Sequence, residues 1–441
     1  MNPQRFLRLV SGAMAALGIS AAAIVALNLR GEDPLPSAET LKPTPALVAQ
    51  GEYLTRVGNC MACHTVQGGA PFAGGRGIET PFGVVYSSNL TPDKATGLGA
   101  WTSAEFWRAM HNGRSKDGRL LYPAFPYTSY THVTREDSDA IFAYLQSLPP
   151  VAQANKAHAL RFPYSTQAAL GVWRALFFTP ADAAQPAPPA PQALATAQVP
   201  DYQRGAYLVN GLGHCAACHT PRNSLGAEQQ GQALAGGLIP VQNWLAPALT
   251  DAGQAGVQRW PQADVVALLK TGVAPQASVI GPMAEVVFRS TQYLSDADAR
   301  AMAVYLQALP QHAATPAKQA VAPASVMERG AKVYEAQCAQ CHGAQGQGAK
   351  DEAGQPAFPP LAGNRAVVLA DPTNLVRVVL QGGYLPATAG NPRPHGMPPF
   401  QHLLGDEDVA AVATFVRNSW GNQAAGVGTI EVYRARERRS P

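Results

Sequence analysis

Three short stretches of this chain place two cysteines and a histidine in one pattern: Cys60, Cys63 and His64; Cys215, Cys218 and His219; Cys338, Cys341 and His342. A Cys-x-x-Cys pair alone serves a redox disulfide, half of a zinc site, or thioether attachment of a haem. The histidine directly after the second cysteine separates these. On a helical turn, positions i, i+3 and i+4 share one face, so two thiols can meet the vinyl groups of a porphyrin while the imidazole addresses its iron. A zinc site would need a second pair within the same small domain, and each stretch has one. A thioredoxin-like motif would need a βαβ surround, which the Ala-rich helical lead-ins do not supply. All six cysteines lie in these motifs, so none is left for a disulfide framework. The expected cofactors are therefore three covalently bound haem c groups.

A sixth iron ligand comes from the far side, and a methionine there raises the reduction potential. Met283 in "SVIGPMAEVVF" and Met397 in "PRPHGMPPFQ" stand in Gly/Pro-containing segments ahead of a helix, where such a ligand belongs. His395 and His402 flank Met397 and read as surface or propionate-side residues. The first segment breaks the pattern. Aligning Gly113 with Gly272 puts Phe125 of "YPAFPY" where the methionine should be, and a phenyl ring cannot ligate iron. Met110, His111 and His132 are the nearby alternatives, beside a five-coordinate or water-bound haem.

The elements that must hold these residues repeat with them. "GEYLTRVGNCMACHT", "RGAYLVNGLGHCAACHT" and "RGAKVYEAQCAQCHG" each begin as an apolar-periodic helix. "TREDSDAIFAYLQSLP", "SDADARAMAVYLQALP" and "GDEDVAAVATFVRNSW" each read as an amphipathic closing helix, with Ser, Thr or Asp at the N-cap. The unit is helix, loop region, helix. Residues 181–199 and 311–324 are Pro/Ala-rich linkers. The domains expected are thus 46–180, 200–310 and 325–425, followed by a basic tail over 426–441. Within 1–36, Arg5 and Arg8 precede an apolar stretch from Leu9 to Leu29, long enough to span a bilayer. No small-residue cleavage pattern follows, so the segment reads as a retained anchor rather than a cleaved signal, its basic end in the cytoplasm and the rest outside. A formal charge of +4 with 14% charged residues leaves no nucleic-acid footprint. The apolar fraction is largely alanine, so each domain has a modest side-chain core that a porphyrin would complete.

These motifs, with "PFGVVYSSNLTPDKATGLGAWTSAEFW", "LYPAFPYTSY" and "MPPFQHLLGDEDVAAVATFVRNSWGN", resemble the triheme cytochrome c subunits of membrane-bound bacterial periplasmic dehydrogenases, over residues 46 to 425. The resemblance implies a mainly α fold of three tandem class I cytochrome c-like domains after an N-terminal membrane anchor. It implies His64, His219 and His342 as proximal ligands, with Met283 and Met397 distal. It also implies a catalytic partner carrying molybdopterin, PQQ or flavin, and electron delivery to ubiquinone or a terminal oxidase at the cytoplasmic membrane, with the haem domains in the periplasm. The form "YPAFPY" in place of "YPAMPY" is similar to cytochromes that serve molybdenum hydroxylases of the aldehyde or nicotinate type. No substrate-oxidising site stands out: "GGAPFAGGRG" lacks the helix that a dinucleotide fingerprint opens. The chain thus reads as an electron-transfer subunit, not an enzyme by itself. A stand-alone membrane-anchored carrier and a haem enzyme using an open first haem are the alternatives.

Overall fold

The computed structural model describes residues 3–32, 41–182, 188–311, 322–350, 354, 356–392 and 394–437. It is helical throughout, with small antiparallel sheets in the connecting loops. The chain forms two compact units. One holds Met1–Thr55, Cys60–Pro186 and Ser224–Ala227; the other holds Arg56–Asn59, Ala187–Asn223 and Glu228–Pro441. The second and third Cys-x-x-Cys-His motifs therefore share one unit. Most of the expected linker over 311–324 and part of that over 181–199 lie outside the described residues. The helical backbone before the second motif starts at Thr196, inside the span expected as linker.

Each motif follows a lead-in helix: Pro45–Val57, Val199–Tyr207 and Ala324–Gln337. Each has a matching closing helix: Arg135–Ser147, Asp296–Ala308 and Asp406–Arg417. The crossing is made by glycine. A Cβ added to Gly51, Gly205 or Gly330 would lie 1.9, 2.0 or 2.3 Å from the carbonyl oxygen of Ala140, Ala301 or Ala411. Only a residue without a side chain permits that approach. The residue before each glycine then reaches the third residue of the closing helix. Gln50 Nε2 donates to Asp137 at 2.8 Å, Arg204 makes two bonds to Asp298 at 2.7 and 2.9 Å, and Arg329 Nε donates to Asp408 at 2.8 Å. An acidic side chain there also faces the positive end of the helix dipole. Thr134 and Ser295 cap their helices through side-chain oxygens, whereas the third N-cap is Gly405, with Asp406, Glu407 and Asp408 in the first turn.

The second lead-in is one residue longer between its crossing glycine and its first cysteine than the first. A π turn over Leu208–Leu212 absorbs the extra residue, with Leu208, Val209 and Leu212 fully buried. Within the stretch expected as a tail, residues 429–437 are helical. Helix Thr429–Glu437 buries Val432 and Ala435 in the core formed by Val376, Leu380 and Val409, and Arg436 pairs with Asp406 at 2.8 Å.

The N-terminal helix runs Pro3–Asn28, and its apolar stretch from Ser11 to Asn28 is exposed. Its C-terminal end meets helix Gln167–Phe177: Asn28 Nδ2 donates to the Gly171 carbonyl at 2.9 Å, and Arg174 Nε donates to Asn28 Oδ1 at 3.0 Å. That second helix buries Leu170, Gly171 and Arg174 while exposing Val172 and Leu176. In "FPYTSY", Tyr127, Ser129 and Tyr130 are buried.

Candidate haem-attachment sites

All three motifs adopt the helical turn that the spacing calls for. Cys60–His64 is one short helix; Ala216–His219 and Ala339–His342 are single turns in which the histidine amide donates to the carbonyl of the first cysteine, at 2.9 and 3.0 Å. In the first and second motifs an arginine, Arg76 or Arg222, donates to the carbonyl of the residue before the second cysteine, Ala62 or Ala217. No disulfide joins any of the six cysteines.

Each imidazole is held by its Nδ1. The partner is a backbone carbonyl: Ser88 for His64 at 2.7 Å, Pro247 for His219 at 2.7 Å, and Pro359 for His342 at 3.0 Å. A carbonyl only accepts, so Nδ1 carries the proton and Nε2 keeps its lone pair for a metal. Burial pulls all three imidazoles below their usual range, with the carbonyl bond acting the other way, so they are neutral at pH 7. The same apolar surroundings push the Cys60 and Cys215 thiols up to about 12 and that of Cys338 to about 11.

A glycine latch sets the distance between histidine and acceptor. The carbonyls of His64, His219 and His342 accept from Gly74, Gly236 and Gly348 at 2.8, 2.7 and 2.9 Å. These glycines have φ of +77°, +78° and +69°. A Cβ on them would lie 2.5, 2.6 and 2.5 Å from Ser88, Ala248 and Phe358, each the acceptor residue or its chain neighbour. Neither the latch nor the acceptor carbonyls follow from the sequence. Their distance from the histidine differs in each repeat, and an acceptor carbonyl leaves no side-chain signature.

The third site shows its cavity. An apolar cavity is lined by Cys338 and His342, by Met397, and by Val379, Leu404 and Val416. Sulfur, imidazole and thioether thus open on one apolar volume, and this donor set fits a covalently held haem. Ser278 and Ile280, from the loop that follows the second motif, line the same cavity. Met283 lies three residues further on, half-buried, in the first turn of helix Pro282–Arg289. The sequence places it in a loop; Pro282 at the first helical position, after Gly281 at φ +55°, starts a helix there instead.

In the first site, Phe125 is half-buried with its ring 5.4 Å from that of Tyr130. Met110 and His111 are both buried at the end of helix Ser103–Asn112, and His111 stacks on Trp107 at 4.5 Å. His132 is half-buried, and burial lowers its pKa. His395 and His402 are exposed, His395 lying 4.6 Å from the Phe358 ring.

The cytochrome c family profile matches residues 48–149, 202–310 and 327–420. The chain is 39% identical to the cytochrome c subunit of alcohol dehydrogenase (quinone) from Gluconacetobacter polyoxogenes, over 92% of this chain and 87% of that one. It is 39% identical to the gluconate 2-dehydrogenase cytochrome c subunit of Pantoea cypripedii, over 88% of each. It is 41% identical to a nicotinate dehydrogenase chain of Pseudomonas putida, over 85% of this chain but 30% of that protein.

Proposed function

Because this chain belongs to the cytochrome c family, we propose that it is the electron-transfer subunit of a dehydrogenase complex, with haem c bound at each of its three motifs. One observation carries this reading: three times over, an imidazole beside two thiols is held by a backbone carbonyl at Nδ1, so that its Nε2 keeps a lone pair for a metal. Bound haem supplies one-electron chemistry at its iron. The residues do the rest. The two thiols of each motif would hold the haem covalently, through thioether bonds to its vinyl groups. His64, His219 and His342 would be the proximal ligands, and Met283 and Met397 the distal ones of the second and third sites. The apolar lining of the third site would exclude water and favour the less charged ferrous form, as methionine ligation would.

The exposed N-terminal helix is the membrane anchor in this reading, holding the haem domains on the periplasmic side near ubiquinone or a terminal oxidase. The substrate is oxidised by another polypeptide. The partner is a catalytic dehydrogenase subunit that carries molybdopterin, PQQ or flavin, and Phe125 is the one feature of this chain that points towards the first of these.

Affinity purification of the complex from membranes, with identification of its subunits and a covalent haem count by mass, tests the proposal. The expected result is three haems per chain and a copurifying catalytic subunit. Recovery of the triheme chain alone, in detergent that preserves other complexes, would leave a stand-alone carrier; fewer than three haems would overturn the site assignment.

A further inference from the structure

The first site lacks a methionine in the segment where Met283 and Met397 stand, and the helix before that segment holds another. Helices Ser103–Asn112, Gln262–Thr271 and Thr373–Gln381 occupy the same place in the three repeats, and each ends on a left-handed glycine: Gly113, Gly272 or Gly382, with φ of +59°, +77° and +73°. That glycine gives a common register. In the third repeat, Val379 stands three residues before Gly382 and lines the cavity shared by His342 and Met397. Leu269 holds this position in the second repeat, and Met110 in the first; both are buried, Met110 at 4% exposure. Leu375, one turn earlier, also lines the third cavity, and its counterpart is the buried Phe106.

The competing histidines fail the same test. His111 falls in register with Leu380, which belongs to the apolar core and not to the cavity lining, and its ring is stacked on Trp107. His132, counted back from the closing helix, falls in register with Tyr293 and Leu403, which are 43% and 62% exposed.

We propose that Met110 is the distal iron ligand of the first haem, so that its sulfur comes from the helix and not from the loop. This rests on the reading that haem occupies the first motif. A methionine places its sulfur further from the backbone than a valine places its methyls, so the position that only lines the third cavity can reach into the first. Phe125 then needs no ligating substitute, and the first haem is six-coordinate.

The test uses the full-length oxidised protein and two independent readouts, covalent haem per chain and the near-infrared band in which methionine sulfur transfers charge to ferric iron. Three haems with a band intensity of three methionine-ligated centres are expected. Met110→Leu, whose side chain already stands at this position in the second repeat, should keep all three haems and lose one third of the band. The double variant Met283→Leu/Met397→Leu should retain one third. Three haems with only two methionine-ligated centres, and Met110→Leu without effect, would overturn the proposal. A missing haem at Cys60 and Cys63 would instead remove the reading on which it rests. If Met110→Leu loses haem, the wild-type band and the double variant still decide.

Discussion

Leu245 and Asn374 hold each other twice. The Leu245 amide donates to Asn374 Oδ1 at 2.9 Å, and Asn374 Nδ2 donates back to the Leu245 carbonyl at 2.7 Å. Nearby, the guanidinium of Arg377 lies 4.7 Å above the Trp244 ring, and Asn364 Nδ2 donates to Ser278 Oγ at 3.1 Å. The loop after the second motif is thus bound to the helices around the third cavity. Asn374 is buried, so Asn374→Ala leaves two backbone groups unsatisfied and costs about 3 kcal/mol. A chemical unfolding curve of the whole protein should show this loss; an unchanged midpoint would mean that the two segments are held elsewhere.

That joint also lets one repeat tune the next. Ile280 follows the second motif in sequence yet lines the cavity of His342 and Met397. A carboxylate there favours ferric iron, and at one tenfold change per about 60 mV for a single electron, Ile280→Glu should lower the third haem's potential by roughly that amount. Ile280→Gln controls for the loss of apolar surface. A potentiometric titration resolving the haems checks it, and a shift confined to the second haem would count against the shared cavity.

The crossing glycines give the largest stability effects. At Gly205 a Cβ would overlap the Ala301 carbonyl oxygen at 2.0 Å, and both partners are backbone, so the helices must separate. Gly205→Ala should destabilise the protein by about 3 kcal/mol or more. Thermal unfolding followed by circular dichroism reads this directly, with Gly12→Ala, where a Cβ meets nothing within 4 Å, as the neutral comparison.

Much of this was legible in the sequence, and the reason is repetition. The helical turn of the motifs and the pairing of lead-in with closing helices recur three times, so periodicity that is weak in one copy is secure in three. Gly51, Gly205 and Gly330 stand at the same point of each lead-in, and Asp137, Asp298 and Asp408 at the same point of each closing helix. Their union across the fold emerges only in three dimensions. The acceptor carbonyls of Ser88, Pro247 and Pro359 escaped because backbone groups carry no residue-type signal. Ile280 escaped because a segment-by-segment reading assigns each cavity to its own repeat. The C-terminal helix was hidden by charge: Arg434, Arg436 and Arg438 suggest a tail, while Val432 and Ala435 are the residues that pack.

The N-terminal helix offers a decision between anchor and cleaved signal. Its final turn and the residues just after it are tied into the folded unit. Asn28 bonds Gly171 and Arg174, Arg114 Nη2 donates to the Asn28 carbonyl at 3.1 Å, Arg30 Nη2 donates to the Phe178 carbonyl at 2.9 Å, and Arg114 pairs with Glu32 at 2.5 Å. Arg174 is 3% exposed, with its guanidinium 5.2 Å from the Tyr127 ring and 4.7 Å from that of Phe178. Cleavage in this region would strip an acceptor from a buried cation, and losing one partner of such a group costs about 1–3 kcal/mol. The mature protein should therefore retain residues 3–28, and intact mass of detergent-extracted material should include them. Truncation before residue 31 should free the chain from membranes and also make helix Gln167–Phe177 more sensitive to protease. A native mass beginning after residue 32, with that helix equally resistant in both forms, would show that these bonds do not hold the helix in place.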